Sequence, residues 1–142
     1  MKSNHLYENF MGDNILACYL RISDEDFDLK QNVLKDESTS ISAQRRLIHS
    51  YIETKPELVQ MNIREFLDDG YSGTNFERPA IQEIFQLVSE NRISAIIVKD
   101  MSRFGRNYIE TGCYIEQVFP MLGIRFIAIN DSFDSSDYVG NT

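Results

Sequence analysis

The stretch AIIVKDMSRFGRN, residues 95–107, sets the reading of the chain. An apolar, β-branched run from Ala95 to Val98 gives way to Lys99 and Asp100. Arg103 and Arg106 follow, with Phe104 and Gly105 between them. A short apolar run bounded by polar residues predicts a strand, so the cations stand where that strand ends. Three more runs have the same character: Ile15 to Ile22, Ile63 to Leu67 and Ile124 to Ile129. Between them lie segments with helical spacing. One begins near Ser40 or Ser42 and offers Ile41, Leu47, Ile48 and Tyr51 as an apolar stripe. A second begins at Pro79, a residue suited to the first helical position, and carries Ile81, Ile84, Phe85 and Val88. A third runs from about Tyr108 to Leu122 and stops at Gly123, a C-terminal cap. This alternation predicts an α/β fold: a three-layer domain with a central, mainly parallel β-sheet flanked by helices.

The length of 142 residues suits one domain, and 42% hydrophobic with 25% charged residues is an ordinary globular composition. No apolar run approaches the roughly 18 to 20 residues that span a bilayer, so no membrane partner is expected. The opening MKSNHLYENFMGDN is polar and does not read as a signal peptide, which makes the cytoplasm the expected location. Residues 1–14 are expected to be a loosely ordered arm, 15–135 the domain, and 136–142 the start of a C-terminal helix or linker. The ending SFDSSDYVGNT has the look of a cut, as in a fragment of a longer protein. Cys18 and Cys113 lack metal-ligand spacing and are expected to be buried thiols in a reducing compartment.

A net charge of −8 argues at first against nucleic acid, because binding to its backbone needs a basic surface. The location of the charge weakens that objection. Residues 24–37, DEDFDLKQNVLKDE, hold six acids against two lysines, and the tail from Asp131 holds three acids, which leaves the rest near neutrality. The acidic segment 24–37 is expected to be a mobile loop. Nine of the 14 basic residues are arginine, the side chain that forks onto phosphate or carboxylate oxygens.

In an open parallel sheet, ligands bind beyond the carboxyl ends of the strands. The first strand ends YLRIS, where period-2 alternation puts Tyr19, Arg21 and Ser23 on one face. The next ends LDDGYSGTNFERP, supplying Asp68, Asp69 and a glycine-rich turn. Taken singly these residues are ordinary: Ser23 a cap, Asp69 a turn residue, Arg103 a solvated side chain. Three strand ends meeting at one crevice give them a joint meaning. A hydroxyl nucleophile, fixed positive charge and a carboxyl group suit attack on a phosphodiester. Neither His5, in the arm, nor His49, on a helix surface, is placed for a Ser-His-Asp arrangement. Arginines in the same crevice would compete with Mg²⁺ for Asp68, Asp69 and Asp100, so no metal and no cofactor are expected.

Four motifs occur in order: Y-x-R-x-S at Tyr19, Arg21 and Ser23; S-x-x-x-Q-R-R from Ser40 to Arg46; D-G-Y-S-G-T-N-F-x-R-P from Asp69 to Pro79; and S-R-F-G-R from Ser102 to Arg106. Together they resemble the catalytic domain of the serine recombinases, the resolvase and DNA-invertase family, over residues 15 to about 135. The form of the third motif and the long loop after Ser23 are most like the large serine recombinases of integrases and mobile elements. The resemblance implies that Ser23 attacks a DNA phosphodiester, giving a 5′-phosphoserine link and a free 3′-hydroxyl. It implies phosphate-binding and transition-state roles for Arg21, Arg46, Arg103 and Arg106, and an acidic active-site role for Asp69. Tyr19, Gln44, Arg45, Ser72 and Arg78 are the accompanying candidates for substrate binding or for ordering the cluster. Arg45 would exchange roles with Arg46 on a one-residue slip, and Arg78 is favoured as structural. Arg103 and Arg106, three apart, would share one side of a helix beginning there, with Gly105 letting the backbone turn and Phe104 anchored in the core. Lys99 and Asp100 are expected to pair at the strand end.

The resemblance further implies DNA as partner, addressed through a missing C-terminal region, and a homodimer that becomes a tetramer in the synaptic complex. Residues 107–122 and a long helix after about Ser132 would form the subunit interfaces. Two rivals come from other classes. A receiver-like or flavodoxin-like signalling domain would accept a phosphoryl group on an aspartate beside Mg²⁺, and a non-catalytic dimerisation module would keep only the fold. A metal-independent phosphodiesterase would release a free end instead of retaining it covalently.

Overall fold

The computed structural model describes residues 13–138. Its main sheet has five strands: β1 (Ile15–Ile22), β4 (Asn62–Asp69), β5 (Ile93–Val98), β6 (Arg125–Ala128) and β7 (Phe133–Asp134), in the order β4-β1-β5-β6-β7. The first three junctions are parallel and β6 to β7 is antiparallel. A two-stranded hairpin, β2 (Phe27–Asp28) with β3 (Val33–Leu34), stands apart from it. The helices are α1 (Ile41–Glu53), α2 (Pro56–Val59), α3 (Pro79–Ser89), α4 (Met101–Phe104) and α5 (Tyr108–Cys113), with a last short turn α6 (Phe119–Met121).

β1 is central and buried along its whole length, so its alternation divides two apolar layers instead of separating core from solvent. Ile15, Ala17 and Tyr19 pack with Ile81 and Ile84 of α3 and with Ile115 and Phe119. Leu16, Cys18 and Leu20 pack with Ile48 and Ile52 of α1 and with Leu58. Ser40 caps α1 by accepting from the Ala43 N–H at 3.1 Å, and Pro79 opens α3. The three layers match the expected architecture.

Several details depart from the sequence reading. The helix expected over 108–122 passes through a π turn at Tyr114–Val118, where the Phe119 N–H bonds to the Tyr114 carbonyl. Pro120 has no N–H to donate to the preceding turn, and a widened turn accommodates the loss. Gly123 does end the segment, in the left-handed region at φ 72°. Cys113 is exposed, because its position on α5 faces away from the layer that Ile115 enters. Cys18 is buried, and desolvation pushes its thiol up to about 12. Segment 24–37 contains a 3₁₀ turn at Asp24–Asp26, the β2–β3 hairpin and a further turn at Glu37–Thr39. Ser135–Tyr138 forms a 3₁₀ turn. The start of a helix anticipated from 136 falls partly on that turn and partly outside the described residues, as does the arm ahead of residue 13.

Candidate active site

The strand order places β1 between β4 and β5, so their carboxyl ends lie side by side at the point where the chain winds off in opposite directions. Ile22 stands opposite Asp69 in the register, and Ser23 follows with extended backbone. Ser23 is 6% exposed, and its Oγ is buried without a hydrogen-bond partner among the described residues. A buried hydroxyl left unpaired is uncommon and points to a functional or structural reason for it. The Ser23 backbone N–H donates to Asp26 Oδ2 at 3.0 Å, which holds the 3₁₀ turn against the strand end.

Arginines surround this turn. Arg21 is fully buried and donates through Nε to the Arg103 carbonyl at 3.0 Å. Its Nη2 donates to the Ser102 carbonyl at 2.7 Å, and its Nη1 to Glu25 Oε1 at 2.8 Å and the Tyr71 carbonyl at 3.1 Å. Arg103 is also buried. Its Nη1 and Nη2 fork onto Asp26 at 3.0 and 2.9 Å, Nη1 also reaches the Arg21 carbonyl at 2.8 Å, and its Nε is unpaired. Arg106 is half exposed and pairs with Glu25 Oε2 at 2.7 Å. Burial works to raise the Asp26 carboxyl, but the Arg103 guanidinium and the Ser23 N–H outweigh it and hold the carboxyl below the usual range. Glu25 is likewise held low, burial opposing and Arg21 and Arg106 prevailing.

The arginines are positioned by packing. Phe104 is completely buried among Phe119, Phe126 and Phe76, with ring centroids 5.7, 5.2 and 5.2 Å away. Asp100 caps α4 by accepting from the Arg103 N–H at 3.1 Å, and it pairs with Lys99 at 3.6 Å. Because α4 stops at Phe104, Arg103 and Arg106 do not share a helix face: one is buried on Asp26 and the other leaves from extended chain. Gly105 is itself extended, at φ −170°, so turning is not what requires glycine there. Space is the reason: a Cβ would lie 3.0 Å from the Phe76 ring and clash with Thr111 Oγ1.

The remaining candidates separate into groups. Gln44 is buried and orders the cluster, accepting from the Arg21 N–H at 3.3 Å and donating to the Arg21 carbonyl at 2.9 Å. Arg45 forms a two-pronged pair with Glu65 at 2.7 and 2.9 Å on the outer face of β4. Arg46 is exposed and makes no hydrogen bond or ion pair among the described residues. Tyr19 and Arg78 are both buried, with their polar atoms bonded inside the domain. The Tyr19 hydroxyl donates to Asp68 at 2.7 Å and accepts from Arg78 at 2.7 Å, while Arg78 also reaches the Asn75 and Phe104 carbonyls. Asp68 spends its carboxylate on that tyrosine and on the Ala80 and Ile81 N–H groups at the start of α3. Asp69 and Ser72 are exposed, and Ser72 Oγ bonds within its own loop to Thr74.

The sequence reading missed Glu25 and Asp26, which it took as part of a solvated acidic loop. The signal was local: Glu25 lies four residues after Arg21, and Asp26 three after Ser23, the spacing of a capping box. Gly73 was also missed; a Cβ there would lie 2.7 Å from Arg21 Nη2 and 3.0 Å from Arg106 Cγ.

A family model described as the N-terminal domain of resolvase matches residues 16–142. Among solved structures, the N-terminal catalytic domain of TP901-1 integrase is 26% identical, with a TM-score of 0.69 over 89% of this chain and 85% of that one. A resolvase-family site-specific recombinase from Streptococcus pneumoniae is 22% identical, with a TM-score of 0.62 over 86% of this chain and 76% of that one. The catalytic domain of the IS607-like serine recombinase ISC1926 TnpA is 21% identical, with a TM-score of 0.58 over 81% and 70%. No curated protein matches the sequence. The chain belongs to the resolvase family, as the catalytic domain of a site-specific recombinase. Membership brings DNA as the partner and self-association in general. Among the described residues no helix is long and apolar enough to cross a membrane.

Proposed function

We propose that Ser23 is the nucleophile. Its Oγ attacks the phosphorus of a DNA phosphodiester, forming a 5′-phosphoserine ester as the 3′-oxygen departs with a proton. Attack by the 3′-hydroxyl of an exchanged strand reverses the step. The ester conserves the energy of the broken bond, so religation needs no external energy source. Arg21, Arg46, Arg103 and Arg106 offset the charge that develops on the phosphoryl oxygens, and Asp69 moves the proton. The observation that carries this reading is the buried, unpaired Ser23 Oγ at the end of the central strand, beside a turn ringed by arginines.

The wider assignments follow the same reading. The protein works in the cytoplasm, as a homodimer that joins a second one at paired sites. A C-terminal region supplies sequence recognition, which fits the net charge of −8 on this chain. The test is to fuse the domain to an independent DNA-binding module and incubate it with paired sites in EDTA. Protein covalently attached to 5′ ends, absent in Ser23→Ala, is the expected result. Cleavage that survives in Ser23→Ala, or that releases free 5′-phosphates, refutes it.

A further inference from the structure

One carboxylate lies across two of the arginines assigned to phosphate. Glu25 Oε1 accepts from Arg21 Nη1 at 2.8 Å and Oε2 from Arg106 Nη1 at 2.7 Å. Two oxygens of a tetrahedral phosphate are able to make the same pair of charge-assisted bonds. The Arg21 guanidinium and the Arg106 backbone do not depend on Glu25 for their positions, while the half-exposed Arg106 side chain holds Glu25 and is free to turn to another anion. Arg21 is also tied to the carbonyls of Tyr71, Ser102 and Arg103, and the Arg106 N–H donates to the Gly73 carbonyl at 2.8 Å. Gly73 leaves both arginines room against one loop, where any Cβ would intrude. The two acids of the turn differ in freedom. The Asp26 side chain is 8% exposed and bound into the fold by Ser23 and Arg103, whereas that of Glu25 is 23% exposed and is held mainly by the two arginines. Glu25 is able to swing into solvent and leave Arg21 in place, with Arg106 beside it on the backbone that Gly73 holds.

We propose that Glu25 is an intramolecular stand-in for the substrate phosphate: it fills the Arg21–Arg106 anion site in the free domain and has to leave before a phosphodiester enters. The inference rests on reading this crevice as the phosphodiester site, and it adds a regulatory element to it. Glu25 keeps the arginines neutralised and holds back binding of adventitious anions. Contacts that draw Glu25 outward, from DNA or from a second copy of the chain, would open the site.

The test is titration of the chain with inorganic phosphate, followed by the side-chain NMR signals of ¹⁵N-labelled arginines. Glu25→Gln should bind phosphate at least about tenfold more tightly than wild type, the effect of removing a competing charge from a two-arginine site. The gain should vanish in Glu25→Gln combined with Arg106→Gln. Equal affinity of Glu25→Gln and wild type, or a gain that persists without Arg106, overturns the inference. Should Glu25→Gln unfold, Glu25→Asp supplies the same comparison: its shorter carboxylate cannot span both guanidiniums, so unchanged phosphate affinity in that variant also overturns the inference. The titration needs no DNA cleavage. A phosphate gain without a Ser23 adduct would sink the recombinase mechanism alone, and an adduct without the gain would sink this inference alone.

Discussion

Replacing Asp26 by alanine tests whether the buried Asp26–Arg103 pair organises the site. The two side chains are 8% and 5% exposed, and the fork of 3.0 and 2.9 Å is joined by the Ser23 N–H on the same carboxylate. Alanine leaves the Arg103 charge buried, with the Arg21 carbonyl as its remaining hydrogen-bond acceptor and Asp100 Oδ1 3.9 Å from its Nε. Breaking a buried pair in this way costs about 3–5 kcal/mol, a large share of the roughly 5–15 kcal/mol that stabilises a domain. Urea unfolding should show that loss as a lower midpoint with an unchanged slope, and heating should lower Tm by roughly 10–20 °C. The pH dependence follows the same interaction. The folded carboxyl is held below its ordinary range, so its contribution is complete above about pH 5 and is lost as pH falls through the depressed folded value. Asp26→Asn should lack that acid-sensitive part. A loss under about 1 kcal/mol in Asp26→Ala, or an unchanged acid limb in Asp26→Asn, would refute the reasoning and mean that solvent reaches the Arg103 charge.

Three further outcomes follow from the same geometry. Arg46→Ala should abolish cleavage in the paired-site assay while changing stability by no more than about 0.5 kcal/mol, because that side chain has no partner among the described residues. Arg45→Ala should cost about 0.2–1 kcal/mol from its surface pair with Glu65 and leave cleavage intact, and the reverse pattern would show that the two arginines have been exchanged. Gly73→Ala should destabilise by about 1–3 kcal/mol and weaken phosphate binding, since its Cβ would push on Arg21 and Arg106 together. Normal stability and phosphate affinity in that variant would show that the loop yields freely.

Much of the fold was legible because its signals are local. Four apolar runs separated by helical periods, with Pro79 and Gly123 as punctuation, are enough to specify an α/β domain, and those four strands lie within a residue or two of their expected spans, whereas the two-residue strands β2, β3 and β7 were not expected. Ser23, Asp69, Arg103 and Arg106 could be listed because strand ends are where a parallel sheet exposes chemistry. The π turn was not legible from apolar spacing, which a widened turn barely disturbs. Nor was the role of Gly105, where the demand comes from Phe76, remote in sequence, and from Thr111, beyond a helix start.

The division of labour among charges had to wait for the tertiary structure. The sequence by itself determined which residues could bind an anion, since guanidinium, carboxylate and hydroxyl groups carry their chemistry anywhere. It could not determine which charges were already neutralised. Arg45 and Arg46 are adjacent in the chain, yet one meets Glu65 across 20 positions and the other meets no partner among the described residues. Arg103 is joined to Asp26 across 77 positions and Arg106 to Glu25 across 81. Those pairings exist because the sheet order brings the end of β1 against the segment after β5, and the free energy of a charge depends on what lies within a few ångströms of it.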